Sequence, residues 1–271
     1  MPEFKTKVIF DVGAYDGADG IMLALKNKNY LVYAFEANPY QCAIIKSNKR
    51  ILEKRIRRKI YNYKLFNLAV SNFNGTKIFN ISKNPTVSSL KKFRKNVFKN
   101  WPGYQEHFFV EKKIKVKVIT LNKFCIENNI EKISYLHCDS QGNDLDVLKG
   151  LGSYLQKTAR GVIESSINKN RSIYENNHTF KQVKSFFFKN GFRILKCEEI
   201  SGTMGNELNI HFKKNNINLD NINLIYNCRY LKRVFSGKTY LKDDIKDFFI
   251  RYYNIWFKSY LNFLFAKPTI N

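Results

Sequence analysis

Acid is the scarce charge in this chain. Its 22 Asp and Glu stand against 47 Lys and Arg, a formal net charge of +25. A surplus of that size draws anionic partners: nucleic acid, acidic glycan, a nucleotide-linked sugar or an anionic membrane surface. Cysteine is sparse and scattered. The five, at 42, 125, 138, 197 and 228, make no C-x-x-C pair, which argues against a zinc knuckle and, with the odd count, against a disulfide framework. A reducing, cytoplasmic setting is the expectation. No charged-then-apolar leader precedes the first strand, so no secretory signal is expected. No uninterrupted apolar run is long enough to span a bilayer. No His, Cys and acid cluster has the spacing of a metal site, and no internal repeat is found.

What is present is enough for one sizeable core with an appendage: 271 residues, 44% hydrophobic and 15% aromatic. The organising stretch is Lys7 to Pro39. Val8-Ile9-Phe10 is apolar, too short for a helix and rich in strand formers, so it reads as a buried strand. Asp11 and a Gly13-Ala14-Tyr15-Asp16-Gly17 turn follow it. A helix with Ile21, Leu23, Ala24 and Leu25 on its buried face comes next, then a strand from Tyr30 to Phe35 ending on Glu36. This is a βαβ unit with glycines at the first turn and a carboxylate about 20 residues on, the layout for a nucleoside-containing cofactor. The spacing is not G-x-G-x-x-G. Asp11 and Asp16 would repel a pyrophosphate but attract the cationic end of S-adenosylmethionine, which favours that cofactor over NAD.

Further along, the pattern predicts a helix from Gln41 to Lys54 with Cys42, Ile44 and Ile45 facing in. A strand is expected over Tyr61–Ser71, an edge strand over Thr76–Ile81, and loops through Asn84–Leu90 and the mixed Phe93–His107. A strand over Lys112–Thr120 and a short helix from Leu121 to Asn128 come after. Ile133–Cys138 is an apolar strand ending on Asp139, with Gly142 in a turn and Asn143 capping the next helix. Gly161–Ser166 repeats the pattern with Glu164. A helix over Phe180–Lys189 and strands over Phe192–Cys197 and Leu208–Phe212 close the series. Strands alternating with helices imply α/β architecture, a mostly parallel sheet with an antiparallel hairpin at one edge. His137 and His211 read as packed core residues. Two basic runs stand out, residues 46–59 and 83–117; a solvated helix face is the default reading of the first. After residue 214 an Asn-rich linker leads to an aromatic helix in which Asp244, Asp247, Arg251, Asn254, Lys258 and Asn262 form one polar stripe. Docking on the domain or a partner subunit is expected of it, with peripheral membrane contact through residues 244–265 as the rival.

The ordered set of motifs resembles the FkbM family of S-adenosylmethionine-dependent methyltransferases. The resemblance is carried by Asp11-Val12-Gly13-Ala14-Tyr15-Asp16-Gly17, then Phe35-Glu36-Ala37-Asn38-Pro39, then Leu68-Ala69-Val70-Ser71. It continues with Thr120-Leu121-Asn122 and the run from Asp139 through Gln141-Gly142-Asn143 to Val147-Leu148-Lys149-Gly150. It covers about residues 7 to 214. Tyr15 stands where the family has Asn, Asn122 where it has Asp, Gln141 where Glu is common and His137 where Lys is frequent. The absent acid at Gln141 argues against a metal site built on two carboxylates there.

The resemblance implies a Rossmann-like class I methyltransferase fold with a seven-stranded sheet, a methyltransferase domain over 1–214 and an extension over 215–271. It implies methyl transfer to a hydroxyl of a sugar, glycan or metabolite acceptor, anionic or nucleotide-linked. In that reading Asp11, Gly13, Ala14 and Gly17 surround the methionine and ribose, Glu36 takes the ribose hydroxyls, and Ala69 and Val70 line the adenine pocket. Asp139 orients the acceptor or receives its proton. Glu164 and the loop residue His178 are further candidate acids or bases. A nucleic-acid methyltransferase is the rival enzyme, although no proline lies in an Asn/Asp-Pro-Pro-aromatic motif. A non-catalytic basic module for membrane or partner binding is the rival from another class.

Overall fold

The computed structural model describes residues 7–200, 206–215 and 222. The linker and aromatic helix expected beyond residue 214, including the 244–265 membrane reading, lie outside the described residues apart from Asn215 and Ile222.

The chain begins with β1 (Lys7–Val12), α1 (Ala18–Lys26), β2 (Tyr30–Phe35), α2 (Pro39–Arg55) and β3 (Tyr63–Phe66). It continues through β4 (Ala69–Val70), β5 (Gly75–Ser82), the short α3 (Val97–Asn100), β6 (Val110–Ile119), α4 (Leu121–Glu127) and β7 (Tyr135–Cys138). The last elements are α5 (Asp144–Lys149), β8 (Arg160–Ser166), α6 (Phe180–Lys189), β9 (Phe192–Glu199) and β10 (Glu207–Lys214). Seven strands form one sheet in the order β3-β2-β1-β7-β8-β10-β9. Pairing is parallel from β3 to β8, and β10 runs antiparallel to both β8 and β9. The expected hairpin therefore occupies one edge, with β9 outermost.

The register decides where the site lies. Val12 of β1 is level with Phe35 of β2 and Cys138 of β7, and Cys138 is level with Ile163 of β8. The next residues in these strands or just beyond them are Gly13, Glu36, Asp139 and Glu164. All four thus leave the same carboxyl edge of the sheet, where open α/β sheets hold ligands.

Alternation along the strands builds the core beneath. Phe10, Tyr33, Phe35 and Phe66 share one face and meet Phe124 of α4, with ring centroids 4.8 to 5.9 Å apart in edge-to-face contacts around Phe124 and Phe10. Such pairs contribute about 0.5–1.5 kcal/mol each beyond area burial. The opposite face of β1 is covered by α1, whose Ala18, Gly20, Ile21 and Ala24 are buried.

Several expectations need correction. Tyr61–Ser71 is not one strand: β3 ends at Phe66, and Ala69–Val70 leaves to pair with β6 in a second, three-stranded sheet ordered β4-β6-β5. The predicted strands at 76–81 and 112–120 belong to that sheet, paired antiparallel, and not to the seven-stranded one. Ile44 is 46% exposed. The buried stripe of α2 is Cys42, Ile45, Asn48 and Leu52, spaced three or four apart, and Ile44 falls off that face. Asn143 makes no side-chain cap on α5. It is buried, and its amide instead donates to Val70 O at 2.7 Å and lies 3.2 Å from Ser71 Oγ.

The regions read as loops are built, too. Val97, Trp101, Phe108, Ile173 and Tyr174 form their own apolar cluster, with Val87, Phe93 and Tyr104 packed against it. Residues 84–108 and 169–175 are thus joined through a small core of their own.

Candidate active site

The glycine turn is held to the end of β2 by backbone alone. Gly13 N and Ala14 N both donate to Phe35 O, at 2.9 and 3.1 Å. Gly13 (φ 82) and Gly17 (φ 81) take left-handed conformations, and so does Tyr15 (φ 49). That region admits Asn more readily than Tyr, which explains in physical terms why Asn suits this position. Asp16 Oδ1 accepts from Ala18 N at 2.9 Å and closes the first turn of α1. A Cβ on Gly13 would lie 1.9 Å from Asp139 O, so the turn rests directly on the chain after β7.

Glu36 is buried and bound on both oxygens: Oε2 accepts from Tyr15 N at 2.9 Å and Oε1 from Asn38 N at 2.8 Å. Burial pushes its carboxyl up to about 7, against the lowering effect of those two N–H groups. Each oxygen keeps a lone pair for a further donor.

Asp11 and His137 are register partners on β1 and β7. His137 Nδ1 lies 2.8 Å from Asp11 Oδ1. Burial lowers the imidazole, but the Asp11 hydrogen bond and the charges of Asp11, Asp19 and Asp139 outweigh it, and the net value rises to about 9. His137 is therefore a mostly buried charge partner of Asp11 and not the packed core residue expected. Asp11 itself is 1% exposed. Its Oδ2 has no hydrogen-bond partner, and a Cβ on Gly20 would lie 2.2 Å from it. It sits beneath α1 and reaches the crevice through His137.

Beyond β7 the acids gather. Gln141 Nε2 donates to Asp139 Oδ1 at 2.6 Å and to Glu164 Oε2 at 3.3 Å. On its other side Gln141 Oε1 lies 2.7 Å from the Tyr174 hydroxyl, which also lies 2.9 Å from Val87 O; its single proton serves one of the two. Gln141 (φ 52) and Gly142 (φ 83) are both left-handed, and a Cβ on Gly142 would meet the Tyr174 ring at 2.5 Å. Asp144, 2% exposed, accepts from Glu164 N and Ser140 N beneath them. Burial and then the Asp139 charge push Asp144 up to about 7, and burial with Asp139 and Asp144 pushes Glu207 up to about 8. Glu164 is raised well above its ordinary value for the same reasons. Asp139 is also raised, by the protein walls that reduce its solvation, although its own side chain stays open to solvent. It is accessible at the floor of an open crevice.

The remaining candidates go elsewhere. His178 Nε2 lies 3.0 Å from Asp146 Oδ1, in a group with Lys91, whose Nζ is 3.2 Å from Asp146 Oδ2. Ala69 and Val70 are each 4% exposed, packed in the two cores. The residues missed in sequence are Gln141, Asp144, Tyr174 and Glu207. Gln141 was visible as a departure from the family pattern. Tyr174 gave no periodic signal, and Glu207 lay at an unremarkable strand start.

The site suits a nucleoside carrying a cation. Glu36 keeps a free lone pair on each oxygen at the end of β2, and Asp139, Asp144, Glu164 and Glu207 gather carboxyl groups close enough to raise one another. Among the described residues no group of His, Cys, Asp and Glu could hold a metal ion. The fold is the Rossmann-like class I methyltransferase fold. The Methyltransferase FkbM domain matches residues 11–194, and the chain belongs to that family, whose methyl donor is S-adenosylmethionine.

No curated protein matches. Among solved structures it is similar to a methyltransferase FkbM from Methylobacillus flagellatus KT, at 10% identity and a TM-score of 0.47, over 77% of this chain and 44% of that one. It is similar to magnesium protoporphyrin IX methyltransferase (ChlM) from Synechocystis PCC 6803 with bound SAM, at 10% identity and a TM-score of 0.41, over 78% and 72% of the two chains. A third is precorrin-6y C5,15-methyltransferase from Geobacter metallireducens GS-15, at 14% identity and a TM-score of 0.38, over 77% and 80%.

The raised groups set a pH dependence of stability. Glu36 and Asp144, with ordinary values of 4.5 and 3.8, hold protons up to about 7 in the folded chain. His137, ordinarily 6.5, holds its proton up to about 9. In each window the folded state binds more protons than the unfolded one, so stability falls as pH rises. Asp146, lowered to about 2, acts oppositely, but only in strong acid. The ligand-free protein should melt about 5 °C or more higher near pH 6 than near pH 8.5. Asp144→Asn should flatten the slope below about pH 7. Calorimetric melting across pH checks both, and a flat or rising profile would contradict the assignments.

Proposed function

We propose that the chain methylates a hydroxyl oxygen, with Asp139 receiving the proton. The observation that carries this reading is the exposed Asp139 carboxyl at the end of β7, raised above its ordinary value by reduced solvation and tethered by Gln141 to Glu164. A base works best when its pKa lies near the working pH. When bound, S-adenosylmethionine supplies a methyl group on a positively charged sulfur, and transfer leaves a neutral thioether. The acceptor oxygen forms the new C–O bond as the C–S bond breaks, and its proton passes to Asp139. Gln141 holds Asp139 in place and bridges it to Glu164, whose carboxyl burial raises well above its ordinary value. Gly13, Ala14 and Gly17 form the bed for the cofactor, and Glu36 accepts from its ribose hydroxyls. Residues 84–108 and 169–175, joined by the Trp101–Tyr174 cluster, stand where an acceptor would be enclosed. Their Lys and Arg content supports an anionic acceptor such as a phosphorylated or nucleotide-linked sugar. The four described cysteines are unpaired, which suits a reducing, cytoplasmic setting. No helix among the described residues is long and apolar enough to cross a membrane.

The test is transfer of radiolabelled methyl to a panel of sugars, lipid-linked glycans and RNA. An alkali-stable ether product supports the reading; label found on nitrogen or carbon overturns it. Glu36→Ala should weaken S-adenosylmethionine binding by about 10- to 100-fold in calorimetric titration, because two backbone donors and the ribose lose one acceptor. Binding as tight as the parent's would remove Glu36 from the ribose.

A further inference from the structure

The exposed end of α2 carries a charge pattern that the transferase site does not use. This Lys-rich chain has only eleven arginines, and four of them, Arg50, Arg55, Arg57 and Arg58, fall within nine residues. A general drift toward lysine does not concentrate arginine. Three of the four, with Lys54 and Lys59, line one open depression of about 350 Å³. The single acid in its wall, Glu53, is already engaged: its Oε1 lies 2.6 Å from Lys49 Nζ and accepts from Ile60 N at 2.8 Å, and its Oε2 is 3.8 Å from Lys59 Nζ. Arg50, Lys54, Arg57 and Arg58 face the depression with no carboxylate partner among the described residues.

The backbone gives an independent sign. α2 ends at Arg55, Arg58 N donates to Glu53 O at 3.1 Å, and Arg57 occupies the left-handed position between them with φ 51. That position after a helix is usually glycine, because a side chain there costs about 1–2 kcal/mol. Here an arginine occupies it. Strain of this kind accompanies functional positions.

Helix direction separates this place from the active site. α2 starts beside Glu36 at the carboxyl edge of the sheet and runs 17 residues, about 25 Å at 1.5 Å per residue. Its last turn lies at the opposite, amino edge.

We propose that this depression is a second ligand site, one that binds an oligophosphate. Guanidinium forks match phosphate oxygens bidentately, and five cations around one spent acid call for a compact group of several negative charges. The lining comes only from residues 50–59 at one helix end, a short span that favours a small oligophosphate over an extended nucleic-acid backbone. Such a group is carried by a free nucleotide or polyphosphate and by a phosphoinositide headgroup.

The test uses the full chain, titrated with inorganic triphosphate near physiological salt. Saturable one-to-one binding is expected. Arg50→Glu with Lys54→Glu should weaken it at least about tenfold while S-adenosylmethionine affinity is unchanged. Lys113→Glu with Lys115→Glu, an equal charge change on exposed residues of β6, should weaken it less than about threefold. Arg57→Gly should lose affinity yet melt no lower than the parent, since glycine relieves the left-handed strain. A parallel arm with vesicles containing phosphatidylinositol bisphosphate distinguishes the two sources by which is bound more tightly. Non-saturable binding, equal losses in the two double variants, or Arg57→Gly binding as the parent does would overturn the site. So would a short RNA that binds and is not competed by triphosphate.

Discussion

Asp139→Asn should lower kcat by about 10²- to 10⁴-fold, the range for removing a positioned base. The amide is nearly isosteric and can still accept from Gln141, which now reaches Asp139 Oδ1 at 2.6 Å. Fold and cofactor binding should therefore survive. What is lost is the ability to take a proton. The parent's kcat should rise with pH through the raised pKa of the Asp139–Glu164 pair, and the variant's residual rate should lack that limb. Single-turnover transfer of labelled methyl across pH reads both effects. Near-normal turnover in Asp139→Asn would remove it as the base and leave it as a turn carboxylate.

Gly13→Ala is the second large effect, and it acts on the frame rather than the chemistry. The added carbon would lie 1.9 Å from Asp139 O and 2.7 Å from the same carbonyl carbon, both backbone atoms that cannot swing aside. The residue is also left-handed at φ 82, which alone costs an alanine about 1 kcal/mol. The glycine turn and the chain after β7 must separate, at a total cost of about 3 kcal/mol or more, or roughly 10 °C in Tm for a chain of this size. S-adenosylmethionine affinity should fall with it. Gly17→Ala supplies the contrast, since its added carbon meets Ile45 Cγ2 at 2.8 Å, a side chain that can shift. It should cost less. A Gly13→Ala protein with the parent's Tm and cofactor affinity would show that the close approach is not required.

The same contact explains why the ordered motifs were readable. Gly13 touches Asp139. Gly150 lies against Ser71, whose carbonyl a Cβ there would meet at 2.1 Å, and Asn143 donates to Val70 O. Motifs far apart in sequence are one packed unit, so their residue types are restricted together. The βαβ start, the strand ends at Glu36 and Asp139 and the bounds of α6 were legible because short-range periodicity determines them. The departure of Ala69–Val70 to a second sheet was not. An apolar run looks the same whether it continues one ladder or crosses to another. His137 was misread because a histidine in an apolar strand carries no mark of its neighbour; only the β1–β7 register brings Asp11 beside it. Tyr174 and Gln141 meet across 33 positions through a built loop, a contact that no local pattern encodes.

The strand order also governs how the protein is made. β1 leaves the ribosome well before one of its two partners, β7. Asp11 and His137, side by side in the finished sheet, are 126 positions apart. Closing so long a loop is entropically unfavourable until the far strand arrives to reward it. Through that interval one edge of Val8-Ile9-Phe10 has no ladder to join. At 5–20 residues per second the wait is roughly 6 to 25 s. During it, the nascent chain exposes an apolar strand edge to its neighbours, the condition under which unfinished chains aggregate.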